Sequence, residues 1–287
     1  MKTLNARCIE ALDALERLWY REATYKTVSN ILIIIFLASL IVIEFNRHGM
    51  LPQKLAAHVS HSHFTAIYIA FLLVLYMEII SMIFTLPESM SRALGKQFEI
   101  LALIFLRNAF KQLADLTEPL SLTHHIDVVY HIFAYGFGAL AIFCLLGCYR
   151  IVLTKLNKRD KTVMAGPGLD RFISAKKTVA FCILLSFFGM GIFDLWLISQ
   201  KTGGFNFLHS FYTVLLFSDI LMVFIAQGVL PQFHAVFRNS GYALATLLIR
   251  LSLTTSVYYS VAIGISSMVF ALLLTIIYNK FYSALDG

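Results

Sequence analysis

Long apolar runs alternate with short polar segments along this chain. The runs fall at 27–45, 64–86, 98–115, 128–149, 178–199, 209–230, 241–255 and 257–279. A stretch of about 20 apolar residues crosses the hydrocarbon core of a bilayer as a helix. The third and seventh runs are the weakest spans, because they are short and carry Arg107 and Arg250. Fifteen helical residues rise only about 22 Å. Such a helix crosses only where the bilayer thins or where its ends are buried in protein. Ahead of the first run, Leu12, Leu15, Leu18 and Trp19 recur at helical spacing with charges between them. That pattern predicts an amphipathic helix lying on the membrane surface or on the protein itself, with a partner protein as the other docking surface. The fold expected is an all-α integral membrane protein with about eight transmembrane helices, preceded by this amphipathic helix.

Composition agrees with the runs. Of 287 residues, 59% are hydrophobic and 14% charged, against about a quarter charged in a soluble domain, and the mean hydropathy is +0.78. The net charge of +7 raises nucleic acid as a partner. Yet the bases sit in short segments beside apolar runs, and no basic-aromatic stripe or nucleic-acid motif accompanies them. They read instead as a topology signal. With the N-terminus inside, the inner segments hold five Lys or Arg before Thr27, two in 87–97, eight in 150–177, then Arg238 and Lys280; the outer segments hold Arg47, Lys54, Lys111 and Lys201. Seventeen against four places both termini and the 150–177 segment in the cytoplasm, and a bacterial inner membrane is the expected location. The first run reads as a retained signal anchor. Cys8, Cys144, Cys148 and Cys182 form no metal-type cluster and read as reduced thiols.

The two halves of the chain resemble each other. YKTVSNILIIIFLASLIVIEF from Tyr25 aligns with KKTVAFCILLSFFGMGIFDLW from Lys176, LYMEII with LFSDIL, and QFEILALIFLR with GYALATLLIR. Three ionisable residues recur in the same order: Glu44 with Asp194, Glu78 with Asp219, and Arg107 with Arg250. Such residues are rare and costly inside spans, so their recurrence outweighs the resemblance of any two apolar helices. The expected division is an amphipathic helix over 1–26, a four-helix repeat over 27–153, a basic cytoplasmic linker over 154–176 and a second four-helix repeat over 177–287. Four spans per repeat give both halves the same orientation, related by an axis along the membrane normal. A four-span unit with acids on its first two helices and a base on its third resembles a voltage-sensor bundle. The arginine ladder that such bundles carry on their fourth helix is missing from the fourth and eighth spans, which argues against voltage sensing.

Counting residues from the inner ends puts Glu78 and Arg107 at about 12–14 Å, and Asp219 and Arg250 at about 14–16 Å. Each acid and base would lie on adjacent antiparallel helices, where an unpaired charge costs several kcal/mol. Two ion pairs, Glu78–Arg107 and Asp219–Arg250, are therefore expected, either fixing helix register or lining a polar pathway. Glu44 and Asp194 fall near the outer ends of their spans. Eight of the nine histidines lie on the outer side, and His58, His61, His63, His124, His125 and His131 are candidate ligands for a metal or haem. No nucleotide-binding, nucleophile-elbow or zinc-protease motif is present, so an enzyme is not the expectation. Three functions follow: a channel or transporter for protons, ions or a small polar solute; a membrane subunit or scaffold whose N-terminal helix and 150–177 segment hold partner proteins; and a metal- or haem-dependent redox protein. An oligomer is compatible with each.

Overall fold

The computed structural model describes residues 2–52, 59, 62–115, 126–159, 167–199, 207–229 and 233–282. Among them there are helices and no strand. In chain order they are α1 (Lys2–Trp19), α2 (Glu22–Arg47), α3 (Phe64–Thr85), α4 (Met90–Lys111), α5 (Ile126–Arg159), α6 (Pro167–Ser199), α7 (Phe207–Val229), α8 (Phe233–Ser252) and α9 (Val257–Ile277), with a 3-10 turn after α4 and a π turn after α9.

Six of these helices, α2, α3, α5, α6, α7 and α9, are long and apolar enough to cross a membrane. The chain is thus an all-α polytopic membrane protein. The eight expected spans included α4 and α8, which fall outside that set. Both are long enough, at 22 and 20 residues or about 33 and 30 Å. Their first turns, however, are polar. Packing explains the difference: α4 buries Leu94, Phe98, Leu101 and Phe105 completely or nearly so, and α8 buries Tyr242, Ala245 and Ile249. A helix walled in by protein needs less apolar surface than one facing lipid. By contrast α2 buries only Ile43 and Asn46 among its described residues and turns Ile31, Ile34, Leu37 and Ile41 outward.

The helices pack in a repeated order. α2 lies on α3, α3 on α4 and α4 on α5; α6 lies on α7, α7 on α8 and α8 on α9. The two runs meet through α4 against α8 and α5 against α9. One core joins α4, α5, α8 and α9 around Phe105, Tyr135, Ile142, Ile249 and Met268. The close α5–α9 crossing depends on small residues: a Cβ at Gly138 would stand 2.7 Å from Val261 Cγ1. A second core joins α1, α3, α6 and α7 around Leu12, Ile83, Leu184, Phe187 and Phe211.

Helix ends follow local chemistry. α2 stops at Gly49, whose φ of +68° suits glycine, and Met50 N–H closes back onto the Phe45 carbonyl at 3.0 Å. The first span, expected over 27–45, is longer at both ends because Glu22 and Arg47 suit the first and last turns of a helix. The basic 154–176 segment, expected as a linker, is largely helical. α5 runs on to Arg159 with bases in its last turn, and α6 begins at Pro167, a residue preorganised for a first helical position.

α1 lies on the protein. Asp13 accepts from Lys177 Nζ at 2.7 and 2.8 Å, Trp19 Nε1 donates to Ser81 Oγ at 2.9 Å, and the Trp19 and Phe84 rings are 5.9 Å apart. These contacts tie α1 to the first turns of α6 and the last turns of α3, the end of the bundle that carries the basic segment. Burial and the neighbouring Asp13 raise the Glu16 carboxyl above its ordinary range, and burial pushes the Tyr20 phenol up to about 12.

Candidate functional site: two intramembrane charge pairs

Asp219 projects from the middle of α7, and Arg250 from the last turn of α8. The guanidinium grips the carboxylate with two bonds: Nε donates to Oδ2, and Nη2 donates to Oδ1 at 2.9 Å. Arg250 is 1% exposed and Asp219 5%. Nothing else among the described residues bonds Arg250 Nη1. A fork-on-fork pair is the strongest geometry for these two groups, and a buried charge requires it.

Glu78 on α3 and Arg107 on α4 form the other pair, through Arg107 Nη1 and Glu78 Oε1. This pair is wetter. The Arg107 side chain is 27% exposed, while Glu78 is buried and its Oε2 has no hydrogen-bond partner among the described residues. The two pairs occupy matching places in the two helix runs. Beside the Glu78–Arg107 pair in sequence lies an apolar cluster of Met82, Ile100 and Ile104, with Leu75 and Leu253 against it. Met82 and Leu75 bracket Glu78 on α3, Ile104 and Ile100 precede Arg107 on α4, and Leu253 follows Arg250 by one turn.

Each pair borders a small cavity. One of about 20 Å³ is lined by Asp219, Gln97, Tyr242 and Thr246 and, toward the α3–α4 turn, by Leu86 and Met90. The other, about 30 Å³, is lined by Glu78, Arg107, Asn108 and Lys111 with the rings of Tyr68 and Phe71. Lys111 Nζ lies 4.9 Å from the centre of the Tyr68 ring.

Gln97 was not among the candidates read from the sequence, yet it is 2% exposed and its Oε1 has no hydrogen bond among the described residues. Its signal was positional: it falls on the Ala93–Leu94–Leu101 face of α4, a polar residue within an apolar stripe. Glu99, on another face of α4, pairs with Arg150 in the C-terminal half of α5. Only the fold brings these two together, because they are 51 residues apart.

The outer-end candidates separate. Glu44 gathers His63 Nε2 at 2.8 Å on one oxygen and His48 Nε2 at 3.1 Å on the other, and Arg47 reaches His63 Nδ1 at 3.0 Å. Asp194 has a buried Oδ1 with no hydrogen bond among the described residues. His131 meets Gln112 Oε1 at 3.2 Å and packs edge-on to the Tyr258 ring. His58, His61, His124 and His125 lie outside the described residues. Among the described residues, no three His, Cys, Asp or Glu side chains are grouped to hold a metal.

No protein-family model, curated protein or solved structure matches the chain. Its class, an all-helical polytopic membrane protein, rests on the helices themselves, and what it does is argued from the charge pairs.

Proposed function

We propose that the protein conducts or transports protons, ions or a small polar solute through the membrane along the Glu78–Arg107 and Asp219–Arg250 pairs. The observation that carries this reading is the Asp219–Arg250 pair, almost wholly buried midway along a helix apolar enough to span. Charges at that depth are costly and concentrate on pathways. A cavity beside each pair supports the same reading, since a purely structural pair gains from a dry, filled surround.

In this reading α4 and α8 cross the membrane as well, shielded from lipid by their neighbours. The chain is then two repeats, 27–153 and 177–287, related by rotation about the membrane normal; the repeated helix order supports it. Both termini and 150–177 face the cytoplasm of a bacterial cell. The test is flux through liposomes holding only this protein. Flux that changes in Glu78→Gln while the helix content stays intact supports the reading; absence of flux for every small ion and solute tried overturns it.

A second reading, a membrane subunit of a larger complex, has its own observation. On α1, docked as it is, Leu15 and Leu18 are 41% and 56% exposed at the bundle end. A partner protein that copurifies in fixed ratio, and is lost in Leu15→Ser with Leu18→Ser, would favour it.

A further inference from the structure

We propose that the cargo is the proton, carried by water in two offset half-cavities: one reaches Glu78 from the outer side, the other reaches Asp219 from the cytoplasmic side, and Gln97 holds the water of the second. This rests on the reading of the charge pairs as a pathway and names what moves along it.

The two cavities lie toward opposite ends of the bundle. The one at Glu78 runs along α3 and α4 toward Tyr68 and Lys111, the ends nearest Glu44 and His63. The one at Asp219 runs the other way, toward Leu86 and Met90, the end where α1 docks. Their volumes of about 20 and 30 Å³ suit a water or two, one water needing about 10–15 Å³. Cavities of this size suit water, and of the candidate cargoes the proton needs only water and a titratable group.

Unmet hydrogen bonds mark where that water sits. Gln97 Oε1, Arg250 Nη1 and Glu78 Oε2 are all buried and unpartnered among the described residues. A buried polar atom left so is costly, and a bound water is the usual remedy in a polar cavity. Gln97 and Asp219 line one cavity, so a water there is placed to accept a proton from the carboxyl while donating to Gln97. The charged and titratable groups facing the acids are few: Arg107, Lys111 and Tyr68 at Glu78, and Arg250 and Tyr242 at Asp219, with Tyr212 near Arg250.

Each transfer balances. A hydronium in the outer cavity gives its proton to Glu78, leaving water and a neutral carboxyl that no longer holds Arg107. On the other side a neutral Asp219 carboxyl returns its proton to the Gln97 water and recaptures Arg250. One O–H bond breaks and one forms at each hop, and no electrons are exchanged. Met82, Ile100 and Ile104, packed next to Glu78 and Arg107 and touched by Leu253 one turn past Arg250, form the apolar seam that the proton crosses when it wets.

The experiment is flux into liposomes carrying the purified full chain, read with an internal pH dye under an imposed potential, and in parallel with sodium- and chloride-sensitive dyes. Expected are proton flux above that of empty liposomes, its loss in Gln97→Leu, and an increase in Ile104→Ala. Gln97→Leu removes an unpaired polar group, so the fold is retained, which circular dichroism checks; if it does not fold, Ile104→Ala decides. Sodium or chloride flux without proton flux overturns the proton while leaving the pathway standing. No flux of any kind overturns both. Unchanged proton flux in a folded Gln97→Leu, or in Ile104→Ala, overturns the two-cavity path.

Discussion

Removing one partner of the Asp219–Arg250 pair strands a charge with nowhere to go. Arg250 is 1% exposed, with the rest of its surface against protein. In Asp219→Leu the guanidinium loses both of its bonds to the carboxylate and cannot turn its head to water. Breaking such a pair costs about 3–5 kcal/mol, roughly a hundred- to several-thousand-fold in the folded ratio. Glu78→Leu is gentler, because the Arg107 side chain is already 27% exposed and its long stem can carry the charge outward. Its cost is about 1–3 kcal/mol, that of an unmade buried hydrogen bond. Asp219→Leu combined with Arg250→Met removes both charges and is milder than either single change. Equilibrium unfolding in mixed detergent micelles, followed by circular dichroism, gives the Asp219–Arg250 cycle, and Glu78→Leu is measured beside it. The reasoning is refuted if Glu78→Leu costs as much as Asp219→Leu, or if the double variant costs the sum of its parts.

Three further expectations follow from other parts of the molecule. Gly138→Leu drives a side chain into stiff Val261 at the α5–α9 crossing and lowers stability by about 1–3 kcal/mol, read by the same unfolding assay. A cysteine placed at Lys158, with the native thiols replaced, stays unmodified by an impermeant reagent on intact cells and reacts after permeabilisation; labelling of intact cells reverses the orientation. At α1, the raised Glu16 carboxyl is protonated more readily docked than free, so its contribution is present below the free carboxyl's ordinary range and lost as pH rises through the docked value. Glu16→Gln therefore slows tryptic cleavage at Arg17 at neutral pH, and unchanged cleavage counts against burial as the cause.

The charge pairs were the most legible feature of the sequence because charge inside an apolar run is rare. Glu78, Arg107, Asp219 and Arg250 each interrupt such a run, and counting residues from the ends of the apolar runs set the two members of each pair at one depth. Helix boundaries were less legible where a helix starts polar. The third and seventh runs begin at 98 and 241, while α4 and α8 begin at Met90 and Phe233. An apolar-run criterion misses SRALGKQ and HAVFRNS alike, since polar turns at the rim of a bundle differ from loops only in what they pack against. The Glu44 contacts with His48 and His63 were hidden for another reason. His48 sits one turn from Glu44, but His63 reaches it only because α3 folds back beside α2.

The same offset in both halves bears on why α4 and α8 are the polar members of their runs. Each lies at the centre, against the other and against two neighbours of its own run. A helix in that place is shielded from lipid on most of its circumference, so bases and amides cost less there than on α2, which turns almost its whole surface outward. The position that permits Arg107, Gln97 and Arg250 is also the one that the proposed polar path would follow. α4 and α8 supply Gln97, Tyr242 and Thr246 to one cavity and α4 supplies Arg107, Asn108 and Lys111 to the other, while the acids come from α7 and α3; Ile100 and Ile104 belong to the same helix as Gln97.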